Sequence, residues 1–154
     1  MSAARPPRSQ AAATWLAFLG GSLGLHRFYL HGARDAWGWL LIPFSLLGAL
    51  GAWRMRTFGQ DDVRAWFLVP WLGLTLAASM LEAIVYGLMP GERWRARHDP
   101  EARTRPRPWL EVLGAVGAGA VGAIALISTI AFVAQKGFES QAAARRSAAS
   151  APAR

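Results

Sequence analysis

Apolar residues gather in four long blocks along this chain, at about 11–30, 36–53, 65–89 and 109–134, and most polar residues fall in the links and tails. The pattern shows neither the strict alternation of a half-buried strand nor the one-sided stripe of a soluble surface helix. A helix that crosses the bilayer core needs about 20 mainly apolar residues, within a range of about 17–25. The third and fourth blocks meet that length. The second is close to the limit, and the first reaches it only if residues 26–30 form its interfacial end. The pattern therefore predicts an all-α integral membrane protein with four transmembrane helices arranged as two hairpins, over 11–55 and over 65–134.

The links follow from the same reading. Residues 1–10 and 135–154 are Ala-, Ser- and Arg-rich tails, expected to be disordered and frayed. Residues 91–108 hold six arginines broken by prolines and have little to bury, so a flexible loop is expected. Pro43 and Pro70 lie inside apolar blocks and predict bends. Asp61 and Asp62 are placed to cap the third helix, and Pro108 and Glu111 suit the first turn of the fourth. Arg5 and Arg8 precede the first block as they would in a signal peptide. No small-x-small site follows, so a retained span is expected.

Composition sharpens this picture in a few places. Of the eight tryptophans, only Trp71 lies clearly inside a block. Tryptophans at block ends match the aromatic belts of the two membrane interfaces. The chain has no cysteine, which excludes disulfides and thiolate metal sites. A net charge of +8 could suggest nucleic acid. In a membrane protein, arginines in tails and loops instead meet lipid phosphates and set topology, so no nucleic-acid partner is expected. With four spans the positive-inside rule is nearly balanced, nine Lys/Arg against eight. The density of the 91–108 segment then favours that loop as cytoplasmic, with both tails outside.

The chemistry-bearing residues are few. His26, Arg27, Phe28 and Tyr29 form a polar and aromatic knot where the first block ends. It suits an interfacial anchor, or a recognition surface for a partner protein or an anionic lipid. Gly20 and Gly24 make a small-x-x-x-small pair. Gly114, Ala118 and Gly122, with Ala115, Gly119 and Ala123, make two such rows in the fourth block. These rows allow close helix packing within the chain or in a homo-oligomer. Glu82 is the only ionisable residue well inside a block, with Ser79 and Tyr86 on its helix face. An intramembrane carboxylate is by default a functional candidate. Gly117-x-Gly119-x-x-Gly122, with Glu139 beyond it, imitates a dinucleotide-binding fingerprint but lacks the preceding strand that the motif requires. His26 and His31 are five residues apart and His98 stands alone, so no metal or cofactor is expected. No catalytic arrangement is recognisable.

The first third of the chain resembles the two-transmembrane-helix (TM-two) domain family in its bacterial members. The resemblance covers about residues 12–55. It rests on Gly20, Gly21, Gly24 and the run His26-Arg27-Phe28-Tyr29-Leu30, a motif that reads Asp-Arg-Phe in animal members. The chain departs at His31, where the family usually has glycine; here the glycine is Gly32. The resemblance implies a small multi-pass membrane protein, here of the bacterial cytoplasmic membrane, without enzymatic chemistry. Two functions fit these residues. One is a non-enzymatic interaction or scaffold protein, using the knot and the arginine loop. The other is a small oligomeric transport or conductance unit with Glu82 on its pathway.

Overall fold

The computed structural model describes residues 8–98 and 109–150, and among these the regular structure is entirely helical. Helix α1 spans Gln10–Gly20, a 3-10 turn follows at Gly21–Leu23, and α2 spans Leu25–His31. The remaining helices are α3 (Ala36–Phe58), α4 (Val63–Leu88), α5 (Gly91–His98) and α6 (Trp109–Ala149).

Among the described residues three helices, α3, α4 and α6, are long and apolar enough to cross a membrane, not the four expected. The first apolar block fails as a span because of its glycines. Helix α1 ends after 11 residues at Gly20, an advance of about 16 Å against a hydrocarbon core of about 30 Å. Gly24 takes φ +74°, a left-handed conformation that glycine adopts without strain, and its N–H closes the turn on the Gly21 carbonyl at 2.9 Å. Gly20 and Gly24 therefore do not share one helix face, as their spacing suggests; they flank a reversal.

Residues 9–31 enter and leave the bundle at the same end. The turn reaches Ser79, where a Cβ at Gly21 would fall 2.6 Å from the Ser79 Cβ. On the way back, the Tyr29 hydroxyl accepts from the Ser9 N–H at 2.9 Å, and the Arg8 guanidinium donates to the Leu30 carbonyl. The element is a re-entrant hairpin. Non-helical backbone at membrane depth is tolerated only where protein covers it. Here Gly20, Gly21 and Gly24 are buried, and a Cβ at Gly24 would lie 2.6 Å from the Gly38 carbonyl oxygen of α3.

Helix α4 lies between α3 and α6, antiparallel to both. Gly48 and Gly51 of α3 lie against Leu72 and Leu68, while Gly73, Met80 and Gly87 of α4 meet Thr129, Gly122 and Ala115 of α6. Helix α1 runs parallel to α6, with Gly114 against Thr14 and Gly117 against Phe18. The hairpin over 11–55 is thus replaced by the re-entrant element and by an α3–α4 pair, while α4 and α6 do pack side by side. Both Pro43 and Pro70 sit inside continuous helices.

The bundle ends differ. Residue 10 and the α4–α5 junction share one end; residues 59–62 and the C-terminal part of α6 share the other. The start of α1 and the end of α6 therefore lie at opposite ends of the bundle, whereas the four-span expectation puts both on one side. Part of the expected arginine loop is helical, as α5, and α6 continues to Ala149 through the expected frayed tail. Pro108 and the rest of that loop, 99–108, fall outside the described residues.

Candidate functional site

The polar groups of the membrane interior meet where α2 folds back onto α4. Helix α2 is only 7 residues long, and its short turn points His26 and Arg27 at α4 while Phe28 faces α3. His26 is fully buried, at 0% exposure, and its Nε2 pairs with Glu82 Oε2. Arg27 is a fork. Its Nη1 donates to Glu82 Oε1 at 2.8 Å, and its Nε donates to Asp35 Oδ2 at 2.7 Å. Asp35 is the N-cap residue of α3, so this one guanidinium ties α2 to both α3 and α4. His31 Nδ1 stands 3.9 Å from Asp35, beyond hydrogen-bonding distance.

The electrostatics follow from that geometry. A half-buried carboxylate facing two cationic or donating groups keeps its charge matched in a medium where an unmatched charge is expensive. Partial burial alone would raise the Asp35 carboxyl, but the hydrogen bond and charge of Arg27 outweigh it and hold it below the ordinary range. Ser79, Glu82 and Tyr86, the stripe read from α4, all face the re-entrant element. Ser79 lies under Gly21, and the Tyr86 ring is 6.0 Å from that of His26. His26 Nδ1 is buried without a hydrogen-bond partner.

The rest of the knot is packed rather than presented. Phe28 lies edge-on to Trp39 at 5.3 Å, and a Cβ at Gly38 would stand 2.7 Å from its ring. The small-residue row of α6 also faces inward: Ala118 is fully buried beside Ala17, Met80 and Ala83, and a Cβ at Gly122 would fall 2.7 Å from the Met80 Cβ. Gly119 sits at the edge of this contact, 3.9 Å from Ile84 on the same measure.

Several contributors were not singled out in the sequence. Asp35 completes the Arg27 fork; the signal was an aspartate eight residues on in an otherwise basic link. Gln10 donates to the Tyr86 and Met89 carbonyls, both at 2.8 Å, and so satisfies the open C-terminal end of α4. Ser45 Oγ donates to the Ser22 carbonyl at 2.5 Å and lies 3.1 Å from Thr75 Oγ1, binding the turn to α3 and α4. Trp94 of α5 is buried and donates to the Arg8 carbonyl at 2.9 Å.

Residues 6–57 match the family model of the TM2 domain. That stretch covers the re-entrant hairpin, its knot and nearly all of α3, so this part of the chain is similar to a TM2 domain. No curated protein and no solved structure matches the chain. With three such apolar helices among its described residues, the chain is a multi-pass membrane protein whose environment is a lipid bilayer.

Proposed function

We propose that this chain is a non-enzymatic interaction or scaffold protein of a bacterial cytoplasmic membrane, one that holds a membrane partner or an anionic lipid. The supporting observation is the closure of the knot on its own chain. Glu82 lies between His26 and Arg27, and the second nitrogen of Arg27 is on Asp35. Charges matched in this way make the re-entrant hairpin a fixed part of the scaffold. Among the described residues, the exposed faces of the spans and the arginines of α5 are open to something outside the chain. Recognition therefore belongs on the surface that the knot holds in place, not on the knot itself.

Crosslinking capture from native membranes tests this reading, using the full chain with photoreactive residues at Leu81 and Arg93. A discrete crosslinked species, weakened by Arg27→Ala, is expected. Crosslinks spread over bulk lipid and unrelated proteins, and unchanged by Arg27→Ala, would discard it.

One observation favours the transport alternative. His26 Nδ1 is buried and unpartnered while Nε2 of the same ring pairs with Glu82, so an unused ring nitrogen stands beside an intramembrane carboxylate. Reconstituted vesicles decide the matter: pH-gradient-driven flux that Glu82→Gln abolishes, with the protein still folded, supports transport. Absence of flux from the parent chain rejects it.

A further inference from the structure

We propose that Arg93 and Arg97, with the C-terminal end of α4, form a site for the phosphate of an anionic phospholipid. The proposal rests on the interaction reading above and gives it a place and a ligand.

Arg93 and Arg97 are one turn apart, so both project from the same face of α5. Both line a recess of about 330 Å³ whose other walls are Val85, Leu88, Met89 and Pro90. The cationic wall and the apolar wall meet at the end of the α4 span, where hydrocarbon gives way to head groups. Trp37, Trp39 and Trp109 are exposed at the same end of the bundle, marking that level as an interface. Helix α5 is held there from beneath: Trp94 is buried against Tyr86, with ring centroids 6.0 Å apart, and hydrogen-bonded to the Arg8 carbonyl.

Charge selects the occupant. Among the described residues, neither guanidinium has an acidic partner. The one acid of α5, Glu92, is exposed and does not line the recess, and Arg8 and Arg95 add further positive charge to this end. Two forked donors set side by side match the oxygens of one phosphate. A free phosphate would leave the apolar wall uncovered. A phospholipid covers both walls, with its phosphate on the arginines and an acyl chain along Leu81, Val85 and Leu88, which face outward or half-outward on α4.

The test uses the full chain, delipidated in a mild detergent and titrated with phosphatidylglycerol or phosphatidylcholine under native mass spectrometry. The variants are R93Q/R97Q; R95Q, which removes an arginine of the same helix outside the recess; and R145Q/R146Q at the far end of α6. Circular dichroism melts confirm that each is folded. The parent is expected to bind phosphatidylglycerol roughly tenfold more tightly than phosphatidylcholine, the scale of one charge-assisted contact. R93Q/R97Q should lose that preference, while R95Q and R145Q/R146Q keep it. Inorganic phosphate at millimolar concentration should not displace the lipid. Equal binding of the two lipids, equal loss in R145Q/R146Q, or displacement by inorganic phosphate would overturn the site. None of these results bears on protein capture, so the protein-partner form of the interaction reading stands or falls separately, on the crosslinking.

Discussion

Arg27 of α2 and Glu82 of α4 meet at 2.8 Å across 55 residues of sequence, and His26 approaches the other oxygen of the same carboxylate. The contact joins the returning arm of the re-entrant hairpin to the central span. Glu82→Gln keeps the size of the side chain but removes the charge that both donors face. It should lower stability by about 1.5–3 kcal/mol, the range for hydrogen bonds to charged groups. The measurement is the thermal midpoint in detergent, with His26→Gln and the double variant to complete a cycle. Additive losses would show that the two residues do not act as a unit.

Arg27→Lys separates charge from geometry. The guanidinium reaches Asp35 with Nε and Glu82 with Nη1, at 2.7 and 2.8 Å. A lysine ammonium is a single point and cannot span the two carboxylates in the same way. We expect Arg27→Lys to cost roughly 1–3 kcal/mol and Arg27→Ala to cost more, since it leaves two carboxylates facing each other's field. If the lysine variant melts with the parent, charge alone holds the hairpin and the fork is incidental.

The sequence made much of this legible, for identifiable reasons. Apolar length announced α3, α4 and α6, because length is what a bilayer demands. The polar stripe Ser79-Glu82-Tyr86 was visible at helical spacing, and all three do lie on the face of α4 that meets the re-entrant element. What misled was length without backbone. The block 11–30 is apolar enough to span, yet Gly20, Gly21 and Gly24 let the chain reverse, and the same glycines read equally well as a packing face. The partner of Glu82 was hidden because the meeting of α2 with α4 is set by that reversal. Arg27 and His26 looked like groups for lipid phosphate until the hairpin turned them inward.

The reversal makes a topological claim that a four-span arrangement contradicts. Reporter fusions at the N-terminus and at Ala33 should lie on one side, because the re-entrant hairpin returns to the end it entered. Gly59 should report the opposite side, Arg97 the side of the N-terminus, and Ser150 the side of Gly59. The sequence between α5 and α6 carries Arg103, Arg105 and Arg107 beyond the three arginines of α5, so the N-terminal side should be cytoplasmic. An N-terminus and Ala33 on opposite sides would restore the fourth span.

Two glycines isolate the strain of the turn from its packing. Gly24 and Gly32 have φ +74° and +84°. A Cβ at Gly24 would press on the Gly38 backbone, whereas nothing lies within 4 Å of one at Gly32. Gly32 pairs its positive φ with an extended ψ of 175°, so Gly32→Ala should show only the penalty of that glycine-favouring backbone, about 1–3 kcal/mol. Gly24→Ala adds a clash with backbone that cannot swing aside, and should melt well below Gly32→Ala or fail to accumulate. Equal melting of the two would mean that the Gly24–Gly38 approach is not tight.

The last prediction concerns acid. Asp35 titrates below the ordinary carboxylate value because Arg27 outweighs the effect of its partial burial. A carboxyl depressed in the folded state contributes stability that is complete above its unfolded value, about 3.9, and is lost as pH falls through the folded one. Asp35→Asn removes that contribution at every pH. The parent should therefore melt above Asp35→Asn at pH 7, and the difference should narrow once the pH drops below about 4. Melts of both proteins in the same detergent from pH 7 to pH 3 supply the comparison. A difference that stays constant across that range would assign the effect of Asp35 to its helix-capping position rather than to its pairing with Arg27, and the fork would then lose its α3 arm.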